Sequence, residues 1–156
     1  MPNPNPNSVP INVVVNFRGI TYDSATSTWT VPEGTPAWTV PQNTPVPAGD
    51  NLIQWNLRPA QGTIPDGFVA SFPSSGAIAF GSDWVGGPPT PVDADTYTAT
   101  DIFSAPPQDE YYEYGITVTL TSTTDSSIFR AFTYDPEVEN EGANLTHVAK
   151  PVVEPV

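Results

Sequence analysis

Acidic side chains are the most abundant groups in this sequence that bind cations. Calcium takes about six to eight oxygen ligands, often from loops, and three acidic clusters supply such oxygens. In extended chain alternate residues stand about 7 Å apart, so Glu137, Glu139 and Glu141 cannot chelate one ion together without a turn. We therefore expect any calcium site to draw on loop carboxylates, namely Asp93, Asp95, Asp109 and Asp135.

Aromatic residues near these acids are the candidates for a carbohydrate site. Aromatic rings offer a flat apolar face with a polar edge, which suits stacking against a sugar ring. Trp84 lies in a loop rich in glycine and proline, and Tyr111 and Tyr112 lie beside an acidic run. We expect a ligand-binding surface to use Trp84, Tyr111 and Tyr112, whereas Trp29 and Trp55 are expected in the core.

Several catalytic chemistries lack the residues they need. The chain has no cysteine, which excludes disulfides, thiolate metal sites and cysteine nucleophiles, and His147 is its only histidine. Zinc and type 1 copper sites need more histidine and cysteine ligands than this. No G-x-S-x-G sequence marks a nucleophilic serine. We predict that the protein is not an enzyme.

The charge balance restricts the classes of partner. The formal net charge is −13, with Arg18, Arg58, Arg130 and Lys150 as the only fixed cations. Nucleic acids and anionic membranes are bound mainly through Lys and Arg, so we expect neither as a partner. No signal peptide or membrane-spanning apolar run is recognisable, and we expect a cytoplasmic protein.

The elements that must position these residues are short strands. Twenty prolines oppose sustained helix, and β-branched and aromatic runs alternate with turn residues. A polar turn at 23–27, between Tyr22 and Trp29, predicts a hairpin or a tight corner, and the breaker-rich stretch 81–95 predicts a loop. Strands are predicted at 11–17, 50–57, 68–72, 77–80, 96–103, 111–122 and 127–134. The proline-rich stretch 32–49 is predicted as a long connection with a short edge strand at 37–40. Alternation predicts that Ile53, Trp55 and Leu57 of one strand and Ile116, Val118 and Leu120 of another point into the core.

This pattern predicts an all-β fold, an antiparallel immunoglobulin-like β-sandwich of about seven to nine strands, with a barrel as the alternative. We expect residues 1–9 to form a disordered arm of Pro and Asn and residues 10–142 to form the sandwich. Residues 143–156 are expected as an extended tail, or as an edge strand that pairs with a neighbouring subunit. We expect Pro136 to end the last core strand and Val138 to pack back onto the sheet.

The end of the chain resembles a known bacterial family. The strand that runs into Asp-Pro, FRAFTYDPEVEN, and the later Glu154-Pro155 are similar to the ending of the small DP-EP proteins. The same ending is similar in style to bacterial inclusion-body proteins of the AidA/PixA type. The resemblance covers about the last quarter of the chain and implies an all-β, sandwich-like domain, with no catalytic residues.

Two functions follow as hypotheses. The first is a non-enzymatic β-sandwich that acts through its surface, by self-association or by binding a protein partner. The second is a carbohydrate-binding module, with or without calcium as a cofactor.

Overall fold

The computed structural model describes residues 8–46, 49–82, 84, 86–103 and 110–140, and for 49, 50, 102, 103, 110, 139 and 140 it describes the backbone alone. These residues form strands, turns and loops without a helix, which confirms the all-β prediction. None of the described segments is a helix long and apolar enough to cross a membrane.

The described residues form thirteen strands, more than the predicted seven to nine, because several are only three or four residues long. They are β1 (Ser8–Asn16), β2 (Thr21–Asp23), β3 (Thr28–Thr30), β4 (Ala37–Thr39), β5 (Asn43–Val46), β6 (Gly49–Pro59), β7 (Phe68–Ser71), β8 (Ile78–Phe80), β9 (Thr90–Asp93), β10 (Thr96–Phe103), β11 (Glu110–Ser122), β12 (Phe129–Tyr134) and β13 (Glu137–Asn140).

Two main sheets and one hairpin make up a sandwich-like arrangement. The first sheet has the order β4-β1-β6-β10-β9, and the second has the order β12-β11-β13-β5, with β7 and β8 on the opposite side of β11. Strands β2 and β3 form the separate hairpin and pair Tyr22 with Trp29, which is the first of the two predicted alternatives. In the described part of the chain no sheet closes into a barrel.

The prediction of a purely antiparallel sandwich is wrong at two strand pairs. Strand β1 runs parallel to β6, and β13 runs parallel to β5. Parallel neighbours need a long crossover connection, and both pairs have long stretches of chain between their members.

The core lies between the two main sheets, where strand alternation places the apolar residues predicted to be buried. Each of the two longest strands contributes three large side chains with almost no exposed surface. These are Ile53, Trp55 and Leu57 on β6 and Ile116, Val118 and Leu120 on β11.

Proline-rich segments contain strands that the sequence analysis assigned to loops. Strand β5 includes Pro45, and β9, inside the predicted loop 81–95, includes Pro91. Both strands lie at the edge of a sheet. Proline is tolerated there because its missing N–H can face away from the neighbouring strand, so no hydrogen bond of the sheet is lost. Strand β1 begins at Ser8, within the predicted arm 1–9, and residues 1–7 lie outside the description.

The segment from β4 to β5 crosses between the sheets. Strand β4 pairs with β1 in the first sheet, and after residues 40–42 strand β5 pairs with β13 in the second. The Tyr134 hydroxyl donates a hydrogen bond to Gln42 Oε1 (2.9 Å), and the Tyr134 ring stacks on Trp38 with centroids 5.5 Å apart. These contacts fix the crossing against the end of β12.

The β2–β3 hairpin covers an aromatic cluster. Trp29 packs edge-on to Phe68, with ring centroids 5.1 Å apart, and Tyr22 contacts both rings. All three side chains are half-buried. Trp29, which was expected in the core, is therefore only partly buried against the edge of the core, whereas Trp55 is fully buried as expected.

A hydrogen bond joins the two sheets inside the core. Trp55 Nε1 on β6 donates to the Tyr114 hydroxyl on β11 (3.1 Å). Burial raises the pKa of the Tyr114 hydroxyl well above its ordinary value, because tyrosinate is poorly solvated there, although the bond from Trp55 partly opposes this. Burial also raises the pKa of Tyr134.

We predict that stability falls at alkaline pH because of Tyr114. The raised pKa favours the neutral folded form, so its contribution is complete below the unfolded pKa of about 10 and declines as the pH rises above it. Urea unfolding across that range should show a falling free energy of unfolding, with a shallower fall in Tyr114→Phe. An equal fall in the wild type and in Tyr114→Phe would contradict this. Tyr134, whose pKa is also raised, accounts for the fall in the free energy of unfolding that remains in the variant.

Candidate functional site

The predicted aromatic site is divided between two faces of the second sheet. Trp84 and Tyr112 meet edge-on, with ring centroids 5.5 Å apart. Tyr112 is only 7% exposed and belongs to the inward set of β11. Tyr111 is its chain neighbour and therefore lies on the opposite, outer face. The three residues do not form one stacking platform.

Trp84 is held firmly at the rim of the core. Its ring stacks on Phe80, with centroids 3.9 Å apart and planes 9° from parallel, and its indole N–H donates to the Gly87 carbonyl (2.9 Å). The side chain is half-buried. One face of the indole is thus covered by Phe80.

The close approach of Gly86 to Trp84 yields a prediction. A Cβ added at Gly86 would clash with the Trp84 indole and with the Thr100 carbonyl oxygen, whereas one added at Gly87 would meet its nearest atom, the Thr100 oxygen, at 3.8 Å. We expect Gly86→Ala to lower the free energy of unfolding by about 1–3 kcal/mol, the usual cost of overpacking. Denaturant unfolding measures this, with Gly87→Ala as the matched control, and equal stability of the two variants would contradict it.

The predicted calcium ligands lie on different sheets. Asp93 and Asp95 flank the β9–β10 turn, where the Asp95 N–H donates to Asp93 Oδ1 (2.8 Å), an arrangement that stabilises the turn itself. Asp135 is exposed between β12 and β13, and Asp109 lies outside the described residues. Within the described ranges, no three His, Asp or Glu side chains are grouped so as to hold a metal ion. The calcium site stays a prediction.

Strand β12 ends at Tyr134, just before Asp135-Pro136 as expected, but pairing with β11 resumes beyond the proline, which was not expected. Ile116 lies opposite Tyr134, and beyond the proline Glu113 lies opposite Glu137 in the same register. The Tyr114 N–H donates to the Pro136 carbonyl (3.0 Å), so the proline gives up only its own donor. Residues 129–140 therefore follow β11 continuously, and the predicted burial of Val138 is confirmed.

The hydrogen bonds at Ile128 and Pro136, on either side of β12, show which backbone groups of β12 point away from β11. Ser122 N–H donates to the Ile128 carbonyl (2.9 Å), and Tyr114 N–H donates to the Pro136 carbonyl. In an antiparallel ladder every second residue exchanges bonds with the neighbouring strand. The even-numbered residues of β12 thus bond to β11, and the backbone groups of Phe129, Ala131 and Thr133 point away from it.

The outer side of β12 is an open sheet edge as far as the chain is described. Strand β12 pairs with β11, and no other described strand lies beside it. It is six residues long and contains no proline. An edge of this kind presents unpaired N–H and C=O groups to any extended chain that approaches it.

The other strand edges are shorter or interrupted by proline. Strand β4 has three residues between Pro36 and Pro41, β5 contains Pro45, and β9 contains Pro91. Strands β7 and β8 have four and three residues. Short strands and prolines are the usual devices that block edge pairing, and β12 lacks both.

Two exposed apolar side chains flank β11 at the start of this edge. Val69 on β7 and Phe129 on β12 both lie opposite Thr121. They are 48% and 58% exposed, and they form one row across the outer face of the sheet. The sequence contained the signal, since Phe129 differs in strand parity from Phe132 and Tyr134 and cannot share their face.

The edge also differs in charge from the chain as a whole. The stretch 126–134 has no acidic residue and carries Arg130, one of only four fixed cations in a chain of net charge −13. Asp125 and Asp135 stand just outside it. Repulsion between this strand and another acidic chain is therefore lower than the net charge of the chain alone would give.

Comparison with known proteins gives no family. No protein-family model matches this chain, and no curated protein matches it.

Proposed function

We propose that this chain is a non-enzymatic β-sandwich protein that acts through its surface, by self-assembly or by binding a protein partner. The observation that carries the proposal is the open edge of β12, six residues without proline or acid. An extended segment added there would gain main-chain hydrogen bonds from Phe129, Ala131 and Thr133. The exposed Phe129 and Val69 would add apolar contact on the outer face.

The absence of enzymatic activity is part of the same proposal. It rests on a sequence with no cysteine, one histidine and no nucleophile motif. A cytoplasmic location is likewise proposed, since a protein without disulfides suits a reducing compartment.

The finer fold and the family are proposals as well. We infer an immunoglobulin-like variant in the broad sense, in which one segment, residues 37–46, supplies an edge strand to each sheet. Membership of the DP-EP family is supported by the strand that enters Asp135-Pro136 and by Glu154-Pro155.

Strand addition at β12 predicts selective binding of β-prone peptides. Ala131→Pro removes an N–H that points outward and leaves every β11–β12 bond in place, so the fold should survive while the edge is blocked. Panning a displayed library of short random peptides should enrich sequences rich in Val, Ile, Thr and aromatics on the wild-type protein. The same peptides should not bind Ala131→Pro.

Circular dichroism is the control that the variant keeps its fold. Equal binding of the enriched peptides to both proteins, or no enrichment on either, would contradict strand addition at this edge.

Carbohydrate binding at Trp84 is the second candidate function, with calcium as its possible cofactor. It is favoured by the half-exposed, rigidly held indole beside Tyr112. A glycan array with and without calcium should then give a signal that Trp84→Ala loses while Gly87→Ala keeps it. A blank array under both conditions would contradict this function.

A further inference from the structure

We propose that the extended segment that fits the β12 edge is apolar at one end and basic at the other. This inference rests on the proposed function, because it assigns a chemical class of partner to the same edge. Its support is complementarity: the outer face of the second sheet is apolar where β12 begins and acidic where β12 ends.

The edge begins beside apolar side chains. Phe129 and Val69 lie on either side of Thr121, and both are exposed. Phe129 belongs to the strand that borders the edge, so the residue of an added strand that lies opposite Phe129 would contact its ring. An apolar residue at that position would remove part of this ring from water, which favours binding.

The edge ends beside carboxylates. By the register on both sides of the proline, Asp135 lies opposite Gly115. A Cβ added at Gly115 would be 3.3 Å from Asp135 Oδ1, so the carboxylate lies over the glycine. Two residues further along, Glu113 and Glu137 lie directly opposite each other. By strand parity, Asp135, Glu113 and Glu137 share the outer face with Phe129.

The pairing of Glu113 with Glu137 favours a cation at this end. The Tyr114 N–H donates to the Pro136 carbonyl, so the two glutamates form one of the pairs of the ladder that are not hydrogen-bonded, in which side chains are closer together. Like charges directly opposite each other destabilise a sheet. A basic side chain beside them would reduce that repulsion.

In the described part of the chain, no fixed cation lies on this face. Arg18 follows β1 and Arg58 belongs to β6, and both strands are in the first sheet. Arg130 has the opposite parity to Asp135, and its guanidinium carbon lies 6.0 Å from the centre of the Phe132 ring. A partner can supply the complementary charge, and the net charge of −13 also attracts basic segments at longer range.

The limit of the edge determines where the basic residue belongs. The Glu137 N–H donates to the Gln42 carbonyl (3.0 Å), and β5 lies beside β13, so an added strand cannot continue past Asp135. The last paired residue of that strand lies opposite Asp135 and shares its face. A Lys or Arg there would be directly opposite Asp135 and diagonal to Glu137, and both positions are within the range of cross-strand interactions.

Fluorescence anisotropy with labelled peptides tests the proposal on the full-length protein. All peptides share a centre of alternating Thr and Val and an Ile at one end, and the other end is Lys, Ser or Glu. Each is made in both chain directions, because an edge accepts parallel and antiparallel strands. In the direction that binds more tightly, we expect Lys to bind about two- to fivefold more tightly than Ser, and Glu to bind more weakly than Ser. High salt should reduce the advantage of Lys.

Two matched variants locate the charge that is responsible. Asp135→Asn keeps the shape of the side chain over Gly115 and removes its charge, so it should reduce the preference for Lys over Glu. Asp93→Asn removes one charge from an exposed site on β9 in the first sheet, and it should leave that preference unchanged. Ala131→Pro should abolish the binding of every peptide.

Two results would overturn the assigned class of partner and leave the proposed function standing. One is β12-dependent binding with the same affinity whatever the charge of the variable end. The other is a preference for Lys that Asp135→Asn and Asp93→Asn reduce equally. If no peptide binds, or if Ala131→Pro binds them all as the wild type does, the class of partner and the proposed function are both wrong.

Discussion

The unbroken register between β11 and residues 129–140 is the constraint on which the rest of the second sheet depends. Ile116 opposite Tyr134 and Glu113 opposite Glu137 keep the same alignment on both sides of Asp135-Pro136. This alignment sends Val138 into the core and lets β5 add beside β13. Because only residues 40–42 separate β4 from β5, this edge of the second sheet is joined by a short segment to an edge of the first.

The register between β11 and residues 129–140 determines which backbone groups can bind an added strand. Beyond Pro136 the outer side of the strand is occupied by β5, and before Asp135 no strand of the described part of the chain lies beside it. The proline therefore marks the boundary between a paired edge and an unpaired one. The alternation of the ladder then turns the backbone groups of Phe129, Ala131 and Thr133 outward, and the strand itself contains no acidic residue.

Features that depend on the local sequence pattern were predicted correctly, whereas features that depend on long-range strand pairing were not. Alternation identified the buried residues of β6 and β11, and the polar turn before Trp29 identified the hairpin. The strand β5 was missed because Pro45 is tolerated only at an edge, and edge position is a tertiary fact. For the same reason Pro136 was mistaken for the end of the ladder, and Tyr111 was grouped with Trp84 although strand parity separates it from Tyr112.

Amide hydrogen exchange along β12, followed by NMR at high dilution, tests the central claim most directly. An open edge predicts alternation: slow exchange at Arg130, Phe132 and Tyr134, which bond to β11, and fast exchange at Phe129, Ala131 and Thr133. Uniformly slow exchange of all six amides in the dilute protein would mean that the edge is already covered, and would contradict the account.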